Sequence, residues 1–349
     1  MINDKEYFLF TPLLVYLFRE KKNKNLIKQD LKNIFADFKI FKEKINKIDF
    51  NKKQLYGDKR CFSYDYLLIA TGAKTNFLGI RGAKDHAFGL KSLQDFERID
   101  KRIKRIKTSK EKNAIVIAGG GPTGVETAIE ISQTLKMQID QGKIKILVVD
   151  KNQKPLNNMD KYLSKKAQDT LRQNKIKFLK NKKIVEVGKN FLKFNNGKQI
   201  ESDLIIWTIG VKPKVLNNSG NQNIDLKKGF LQNQNLLLKG EDRVFVAGDA
   251  AFAINPKTSK PYPSLAQLAK KQGSFAAKNM IRLVNNKFLK EFNFNQKGLI
   301  IPLGNKKAAA KIFGLKVNGR LAAILWKWVY VLNFPTLRKK IKLIKKLFF

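Results

Sequence analysis

A chain of 349 residues with 43% hydrophobic residues is long enough to bury a core in each of two domains of ordinary size. Its formal net charge of +43 predicts an anionic partner, either a lipid surface or nucleic acid, unless the charge reflects only a compositional bias toward Lys. One cysteine, Cys61, and one histidine, His86, exclude a disulfide framework, a Cys/His zinc site, a redox dithiol and a Ser-His-Asp triad within one chain.

The first apolar segment, residues 7–18, resembles the core of a secretory signal peptide. Two acidic residues, Asp4 and Glu6, precede it, and no small-residue cleavage site follows it. We therefore expect a chain that is not exported. The sequence also contains no run of about 18 uninterrupted apolar residues, which is the length that a membrane-spanning helix needs.

Two acidic-led apolar segments, residues 65–72 and 203–210, resemble each other, and each ends in glycine. Short buried strands look alike by nature, so coincidence is one interpretation. A genuine repeat is the other. Gly119 precedes Asp203 by 84 residues (203 − 119), so the matching glycine turn of the first copy would fall before Met1. The repeat predicts a first dinucleotide-binding domain that is incomplete at its N-terminus.

A strand–turn–helix–strand unit is predicted between Asn113 and Asp150. Residues 114–118 form a short apolar run typical of a strand buried on both faces. The glycine-rich segment 119–124 follows at once and leads into a helix with an apolar side. Residues 144–149 then form a second buried strand. This context turns a common glycine motif into a specific signal for dinucleotide binding.

Each glycine of that motif has a physical role. Gly119 permits the tight turn, Gly121 lets the backbone approach a pyrophosphate, and Gly124 lets helix and strand pack closely. The helix N-terminus faces the phosphates, where free N–H groups favour negative charge. Asp150 is placed to accept hydrogen bonds from ribose hydroxyls and would repel a 2′-phosphate, which favours NADH over NADPH. A purely structural glycine turn is the alternative.

A later apolar strand, residues 244–247, is followed by Gly248 and Asp249. It delivers an acidic side chain at its carboxyl end. In open α/β sheets, ligands bind at the carboxyl ends of the strands. This segment is therefore a second candidate ligand site.

With these elements in place, the sequence resembles the type II NADH dehydrogenases, single-chain NADH:quinone oxidoreductases of the two-dinucleotide-binding flavoprotein family. The resemblance runs from Tyr7 almost to Phe349 and rests on four stretches: Phe8-Leu9-Phe10-Thr11-Pro12-Leu13-Leu14, Ile69-Ala70-Thr71-Gly72, Gly121-Pro122-Thr123-Gly124-Val125-Glu126, and Ala266-Gln267-Leu268-Ala269-Lys270-Lys271-Gln272-Gly273. The last is the most discriminating, because these enzymes use an A-Q-x-A-x-x-Q segment near flavin and quinone.

The resemblance implies a set of site residues and the cofactors FAD and NADH. Carried over residue by residue, the FAD contacts are Thr11, Pro12, Thr71, Gly72, Gly248 and Asp249, the NADH contacts are Gly119, Gly121, Gly124 and Asp150, and the quinone contacts are Ala266, Gln267 and Gln272. Glu126 and Gln272 are the implied catalytic residues, and no metal is implied. Glu126 is alternatively a solvated first-turn residue favoured by the helix dipole, and the two glutamines are alternatively the polar face of an ordinary helix.

Related enzymes of this architecture are less compatible with the sequence. Sulfide:quinone reductases and disulfide reductases need reactive cysteines, and Cys61 alone cannot supply them. The family also binds the ADP half of FAD at the first glycine turn, the element that the repeat places before Met1.

The C-terminal segment predicts an interfacial membrane foot. Residues 321–334 are apolar and aromatic, too short to span a bilayer, and are followed by Pro335. A second segment places four apolar residues at helical spacing with six basic residues between them: Leu337, Ile341, Ile344 and Phe348, with Arg338, Lys339, Lys340, Lys342, Lys345 and Lys346. Such a helix lies on anionic lipid. The alternative is a helix that docks on its own domain or on a second copy, which would give a homodimer.

We predict an α/β fold with two Rossmann-like domains: a discontinuous FAD domain (residues 1–108 and 216–295, N-terminally incomplete), an inserted NADH domain (109–215) and a membrane foot (296–349). The implied function is electron transfer from NADH through FAD to a membrane quinone without proton pumping. We expect peripheral attachment to the cytoplasmic face of the cell (inner) membrane and no nucleic-acid partner. The alternatives are a flavin-free remnant or half of a split enzyme, and an NADH-dependent reductase of a soluble acceptor.

Overall fold

The computed structural model describes residues 1–19, 24–256, 258–262, 264–296 and 298–348, except for the side chains of residues 337–339 and 346–348. The chain divides into two compact units. The first comprises Met1–Phe8, Asp30–Lys74 and Val211–Asn295, and the second comprises Leu9–Gln29, Thr75–Gly210 and Gln296–Phe349. Both units are therefore discontinuous in sequence.

The helices of the described residues are, in chain order, α1 (Lys24–Ile27), α2 (Leu31–Ile34), α3 (Ala83–His86), α4 (Leu93–Thr108), α5 (Pro122–Thr134), α6 (Lys136–Asp140), α7 (Lys161–Gln173), α8 (Ala266–Val284), α9 (Gly319–Asn333) and α10 (Leu337–Phe348). The strands are β1 (Ile2–Asn3), β2 (Tyr7–Leu9), β3 (Lys28–Asp30), β4 (Phe41–Lys42), β5 (Ile45–Asp49), β6 (Gln54–Gly57), β7 (Cys61–Ser63), β8 (Leu67–Ile69), β9 (Ala73–Thr75), β10 (Phe88–Gly89), β11 (Asn113–Ala118), β12 (Ile144–Val149), β13 (Ile176–Leu179), β14 (Ile184–Val187), β15 (Phe191–Phe194), β16 (Gln199–Glu201), β17 (Leu204–Trp207), β18 (Val211–Pro213), β19 (Asn217–Ser219), β20 (Ile224–Asp225), β21 (Gly229–Leu231), β22 (Val244–Val246), β23 (Ala251–Phe252), β24 (Gly298–Pro302), β25 (Ala308–Ile312) and β26 (Leu315–Asn318).

The first unit is built from several small sheets around a common core. Strands β19, β5, β6 and β7 form one sheet in that order, and β8 pairs with β22 in parallel. Because side chains alternate along a strand, Val244 and Val246 enter the core cluster of β5 and β6, whereas Phe245 faces helix α8. The two predicted ligand-bearing strands, β8 and β22, are thus immediate neighbours.

The second unit contains a parallel five-stranded sheet in the order β10-β17-β11-β12-β13. Its central strand β11 carries Ile115, Val116 and Ile117, each fully buried, as a strand covered on both faces requires. Helix α4 begins with a capping box, in which the Ser92 hydroxyl accepts from the Asp95 backbone N–H and the Asp95 carboxylate accepts from the Ser92 N–H. Strand β11, the glycine turn, helix α5 and strand β12 form the predicted strand–turn–helix–strand unit.

The C-terminal part of the second unit is an antiparallel sheet, β24-β25-β26, followed by α9 and α10. Helix α9 packs Ala322 and Ala323 against Ala308 and Ala310 of β25. In α10, Leu343 is buried and Ile341 is 48% exposed. Two residues of the predicted apolar stripe, Leu337 and Phe348, have side chains that lie outside the described residues. Within the described ranges, no helix combines the length and apolar character needed to cross a membrane.

The two compact units differ in sequence range from the predicted domains, because residues 9–29, 75–108 and 296–349 cluster with the second unit. A compact unit need not coincide with a cofactor-binding domain, since contacts alone define it. The predicted domain limits near residues 108, 215 and 295 therefore stay a prediction.

Candidate functional site

The glycine turn of the second unit has the geometry that its sequence predicts. Gly119 has φ +111°, a conformation that disfavours L side chains, and a Cβ on Gly124 would lie 1.9 Å from the carbonyl oxygen of Gly119. Helix α5 starts at Pro122, and its N-cap residue, Gly121, has no side chain that could accept hydrogen bonds from the first N–H groups of the helix. A Cβ on Gly121 would meet no described atom within 4 Å. The turn therefore offers an open helix N-terminus, which fits a pyrophosphate.

Asp150 lies beside this turn, at the end of β12. Its Oδ2 accepts from the Gly120 backbone N–H at 2.6 Å, and its Oδ1 accepts from the backbone and side-chain N–H groups of Asn152 at 2.8 Å. The carboxylate thus fixes the turn itself. A carboxylate accepts about four hydrogen bonds, so acceptor capacity remains for a ribose. The predicted ribose contact stays a prediction, and the structural role of Asp150 was not foreseen.

In the first unit, two pairs of predicted FAD residues come together. Thr71 and Gly72 follow β8, Gly248 and Asp249 follow β22, and Ile69 is in register with Val246 in the parallel pair. The Thr71 hydroxyl donates to the carbonyl of Lys214 at 2.7 Å, and the Lys214 N–H donates to the Gly72 carbonyl at 2.8 Å. These bonds anchor the end of β8 to Lys214, and the Ala247 N–H donates to the Ile69 carbonyl at 2.9 Å, which joins the ends of β8 and β22.

A cavity opens at the end of β22. It is lined by residues of the β22 end and of α8, among them Gly248, Asp249, Tyr262, Leu268, Ala269 and Gln272. The Tyr262 hydroxyl is buried and has no hydrogen-bond partner among the described residues. An orphaned buried hydroxyl on a residue that lines a cavity with a carboxylate fits the polar part of a bound cofactor. Tyr262 was missed from sequence because no motif surrounds it.

The predicted quinone residues separate along α8. Gln272 is 1% exposed, its Oε1 accepts from the Gly248 N–H at 2.9 Å, and its Nε2 lies 3.4 Å from Oε1 of Gln232. Ala266 and Gln267 are exposed, and the cavity lining does not include them. Five residues along a helix correspond to about 140° of rotation, so Gln267 and Gln272 point in different directions.

Thr11 and Pro12 lie in the second unit. They form a 3-10 turn, Thr11–Leu13, in which Thr11 is exposed and Pro12 half-buried. A second such turn, Val15–Phe18, follows and contacts α5. This contact brings Tyr16 and Arg19 to the face of α5 that carries Glu126.

Glu126 lies in a group of acidic and aromatic side chains that the sequence did not reveal. Glu130 is one helical turn further along α5, is 2% exposed, and its Oε2 lies 3.5 Å from Nε of Arg19. The Trp326 ring of α9 packs between two tyrosine rings, with centroids 4.7 Å from Tyr16 and 4.6 Å from Tyr330. Residues from three distant segments therefore surround one carboxyl group.

The electrostatics of this group favour a neutral carboxylic acid. Burial raises the pKa of Glu126 to about 8, and the neighbouring Glu130 carboxylate adds to the rise. Burial, followed by the charge of Glu126, also raises the pKa values of the Tyr16 and Tyr330 hydroxyls. A carboxyl whose pKa lies near neutral pH can both take up and release a proton. The sequence interpretation of Glu126 as a solvated first-turn residue does not describe this partly buried position.

Comparison with known proteins gives concordant matches. The family model described as pyridine nucleotide-disulphide oxidoreductase matches residues 1–273. A type II NADH:quinone oxidoreductase of Staphylococcus saprophyticus is 28% identical over 303 residues, covering 82% of this chain and 75% of that protein. The Staphylococcus aureus protein of the same name is 29% identical over 300 residues, covering 81% and 74%.

Solved structures agree on the fold. NDH2 from Plasmodium falciparum, solved in complex with NADH, superposes with a TM-score of 0.86 at 18% identity, covering 99% of this chain and 92% of that chain. The sulfide:quinone oxidoreductase of Aquifex aeolicus gives a TM-score of 0.79 at 17% identity, covering 95% and 83%. The predicted resemblance and α/β fold class are thereby confirmed, and the chain belongs to the pyridine nucleotide-disulphide oxidoreductase family.

Proposed function

We propose that this chain transfers electrons from NADH through FAD to a membrane quinone, without pumping protons. The observation that carries the proposal is the open N-terminus of α5 at the Gly119–Gly124 turn, held by the Asp150 carboxylate. Relatives named type II NADH:quinone oxidoreductase, aligned over about four-fifths of the chain, support the choice of donor and acceptor.

The NADH site is assigned to the turn of the second unit. The N–H groups of the α5 N-terminus bind the pyrophosphate, and Gly121 leaves room for its approach. Asp150 accepts from the ribose hydroxyls with the acceptor capacity that the turn does not use. A 2′-phosphate would meet this carboxylate, so NADPH binds more weakly.

The FAD contacts are assigned to the strand ends of the first unit. Thr71, Gly72, Gly248 and Asp249 would hold the cofactor, with the Tyr262 hydroxyl as a further donor in the cavity. Thr11 and Pro12, which belong to the second unit, stay predicted contacts on the family resemblance alone. When bound, FAD supplies the two-electron carrier that connects a hydride donor with a quinone.

The acceptor reaction needs a proton source. NADH delivers two electrons and one proton as hydride, and conversion of a quinone to a quinol takes up one further proton. Glu126 is the assigned donor of that proton, because its carboxyl is neutral at pH 7 and can be protonated again from water. Gln272 orients the Gly248 end of the cavity, and Ala266 and Gln267 are the remaining proposed quinone contacts.

Attachment to an anionic membrane surface is proposed through α9. The apolar residues of α9 that face outward form a stripe at helical spacing: Leu321 (60% exposed), Ile324 (42%), Trp328 (44%) and Leu332 (64%). This stripe lies opposite Ala322 and Ala323, which pack on the sheet. The cytoplasmic face of the inner membrane is the proposed location, because NADH is there and quinone dissolves in the bilayer.

The first test is an absorption spectrum. The purified full chain is incubated with FAD, desalted, and titrated with NADH under nitrogen, after which a soluble short-chain quinone is added. A retained flavin spectrum that bleaches with NADH and returns with quinone supports the proposal. A protein that retains no flavin would instead indicate a remnant or half of a split enzyme. Bleaching that only a soluble acceptor other than quinone reverses would favour the second alternative.

Membrane attachment is tested with point variants, since deletion of α9 would also remove Ala322 and Ala323 from the core of the unit. The double variant Leu321→Gln/Leu332→Gln should bind anionic vesicles more weakly and keep NADH-dependent bleaching. Leu226→Gln, at a residue that is 79% exposed in the first unit, is the matched control. Self-association through the stripe would instead appear as a loss of dimer in both the presence and absence of vesicles.

A further inference from the structure

The hairpin between β25 and β26 carries two exposed apolar residues at its tip. Ile312 pairs with Leu315, so the turn consists of Phe313 and Gly314 alone. Phe313 is 77% exposed and Leu315 is 72% exposed. Neither belongs to the cluster in which α9 packs on this sheet. The tip therefore presents apolar surface that the described fold does not use.

The backbone of this turn makes the choice of phenylalanine unusual. Phe313 has φ +48° and Gly314 has φ +86°, which is the pattern of a two-residue turn with both central residues left-handed. Asn-Gly is the preferred pair for such a turn, and a bulky aromatic residue in the left-handed region is disfavoured. A residue that is unfavourable for the local backbone and contributes nothing to the core needs another reason to be there.

Lysine side chains lie at the base of the hairpin, where Lys311 pairs with Lys316 across the two strands. The Lys316 and Lys166 ammonium groups each lie 5.8 Å from the ring centroid of Tyr162, and Lys311 Nζ contacts Asp160 at 2.6 Å. These three lysines and one aspartate give this region a net positive charge. Residues 292–349 as a whole contain no Asp or Glu. An apolar tip with these lysines at its base complements a bilayer with anionic headgroups.

We propose that the Phe313–Leu315 tip is a lipid-inserting wedge, a second membrane contact separate from the α9 stripe. The inference rests on the membrane attachment proposed above and adds the segment that enters the lipid. A protein partner is a poorer match, because a stable interface takes about 800 Å² from each partner and a two-residue tip presents far less. Insertion of a tip into lipid has no such area requirement.

Phe313→Asn tests the wedge without damaging the hairpin, since it introduces the Asn-Gly pair that such a turn prefers. The thermal midpoint should stay the same or rise. Partition onto vesicles of phosphatidylcholine with phosphatidylglycerol should fall by roughly fivefold or more, as expected for the loss of one partly inserted aromatic side chain. Phe288→Asn, at a residue that is 94% exposed in the first unit, is the matched control and should partition like the unchanged chain.

A second measurement locates the tip directly. In a Cys61→Ser background, a nitroxide attached at Phe313→Cys should gain oxygen accessibility and lose accessibility to a water-soluble nickel complex when vesicles are added. The same label at Phe288→Cys should show neither change. Unchanged partition of Phe313→Asn together with a label that stays in water would overturn the proposal, as would a loss of dimer without a loss of partition.

These outcomes are separable from a failure of the proposed function. NADH-dependent bleaching of bound flavin in solution should be identical for Phe313→Asn and the unchanged chain. If bleaching is absent from both while the vesicle results hold, the electron-transfer proposal fails and the wedge remains.

Discussion

Helices α5 and α8 both carry buried polar side chains near the end of a strand, but the chemistry of those side chains differs. In α8 they are amides. Gln272 accepts from Gly248, and Asn279 donates to the carbonyls of Asn235 and Lys290 at 3.0 and 2.9 Å. In α5 the ionisable ones are carboxyls, the partly buried Glu126 and the buried Glu130, placed one helical turn apart.

This difference indicates a structural role for the amides and a proton-exchange role for the carboxyls. An amide has a constant charge at all relevant pH values, so a buried amide with matched partners fixes the backbone around it. A partly buried carboxyl beside a second carboxyl is penalised when ionised, and its protonation therefore changes near neutral pH. The α8 residues hold a cavity in place, and the α5 residues can exchange a proton.

The largest expected effect that sharpens this comparison is at Glu126. Its pKa of about 8 lies above the ordinary value of 4.5, so the folded chain keeps a proton that the unfolded chain releases between these pH values. Stability should therefore fall as pH rises through this window, by about 2–4 kcal/mol after allowance for partial exposure. In Glu126→Gln, which does not titrate, that decline should be absent.

Tryptophan fluorescence is the appropriate probe, because the three tryptophans, Trp207, Trp326 and Trp328, all lie in the second unit with Glu126. Urea unfolding is followed at a series of pH values for both proteins. Parallel pH profiles for Glu126→Gln and the unchanged chain would contradict the raised pKa. The proposed proton transfer predicts in addition a slower quinone step in the variant with NADH binding unchanged.

The next effect is at Gln272, where a change should act on structure. Gln272→Leu leaves the Gly248 N–H without its acceptor, and loss of such a bond lowers the stability by about 1–3 kcal/mol. Amide hydrogen exchange, measured by mass spectrometry on the peptide that contains Gly248, should become faster. Gln267→Leu, on the exposed side of the same helix, should leave exchange unchanged. Equal effects of both substitutions would remove the distinction between the two glutamines.

The contrast between α5 and α8 also shows what could be predicted from sequence. The dinucleotide turn was predictable because its signals are local: an apolar strand, glycines at fixed spacing and Asp150 one strand later. The pairing of β8 with β22 was not predicted, because the sequence indicated each strand separately and gave no sign of which strands are adjacent. What could be predicted lies within a short window of sequence.

The surroundings of Glu126 were not predictable in the same way. Tyr16 and Trp326 are 310 residues apart in sequence (326 − 16) and meet only in the folded unit. Helix α9 was predicted as part of the membrane foot, and the structure shows that it is apolar on two sides. One side, with Ala322 and Ala323, packs on the sheet, and the other carries the exposed stripe, so docking and an apolar outer face occur in the same helix.

The smallest expected effect, and the most specific, is that of Glu130 on Glu126. Glu130→Gln removes the second cause of the raised pKa and leaves the first, which is burial. The pKa of Glu126 should therefore move below 8 without returning to its ordinary value. The decline of stability with pH should then end at a lower pH than in the unchanged chain, since the folded state releases its proton earlier.

The same fluorescence-detected urea series measures this shift, and Asp140→Asn provides the control. Asp140 is a carboxylate of the same unit whose ion pairs with Lys136 and Lys175 involve exposed side chains, so its removal should not move the upper limit of the pH decline. A Glu130→Gln profile that ends at the same pH as the unchanged chain would mean that burial alone sets the pKa of Glu126. The two carboxyls of α5 would then titrate independently, and the proton-exchange role would belong to Glu126 without Glu130.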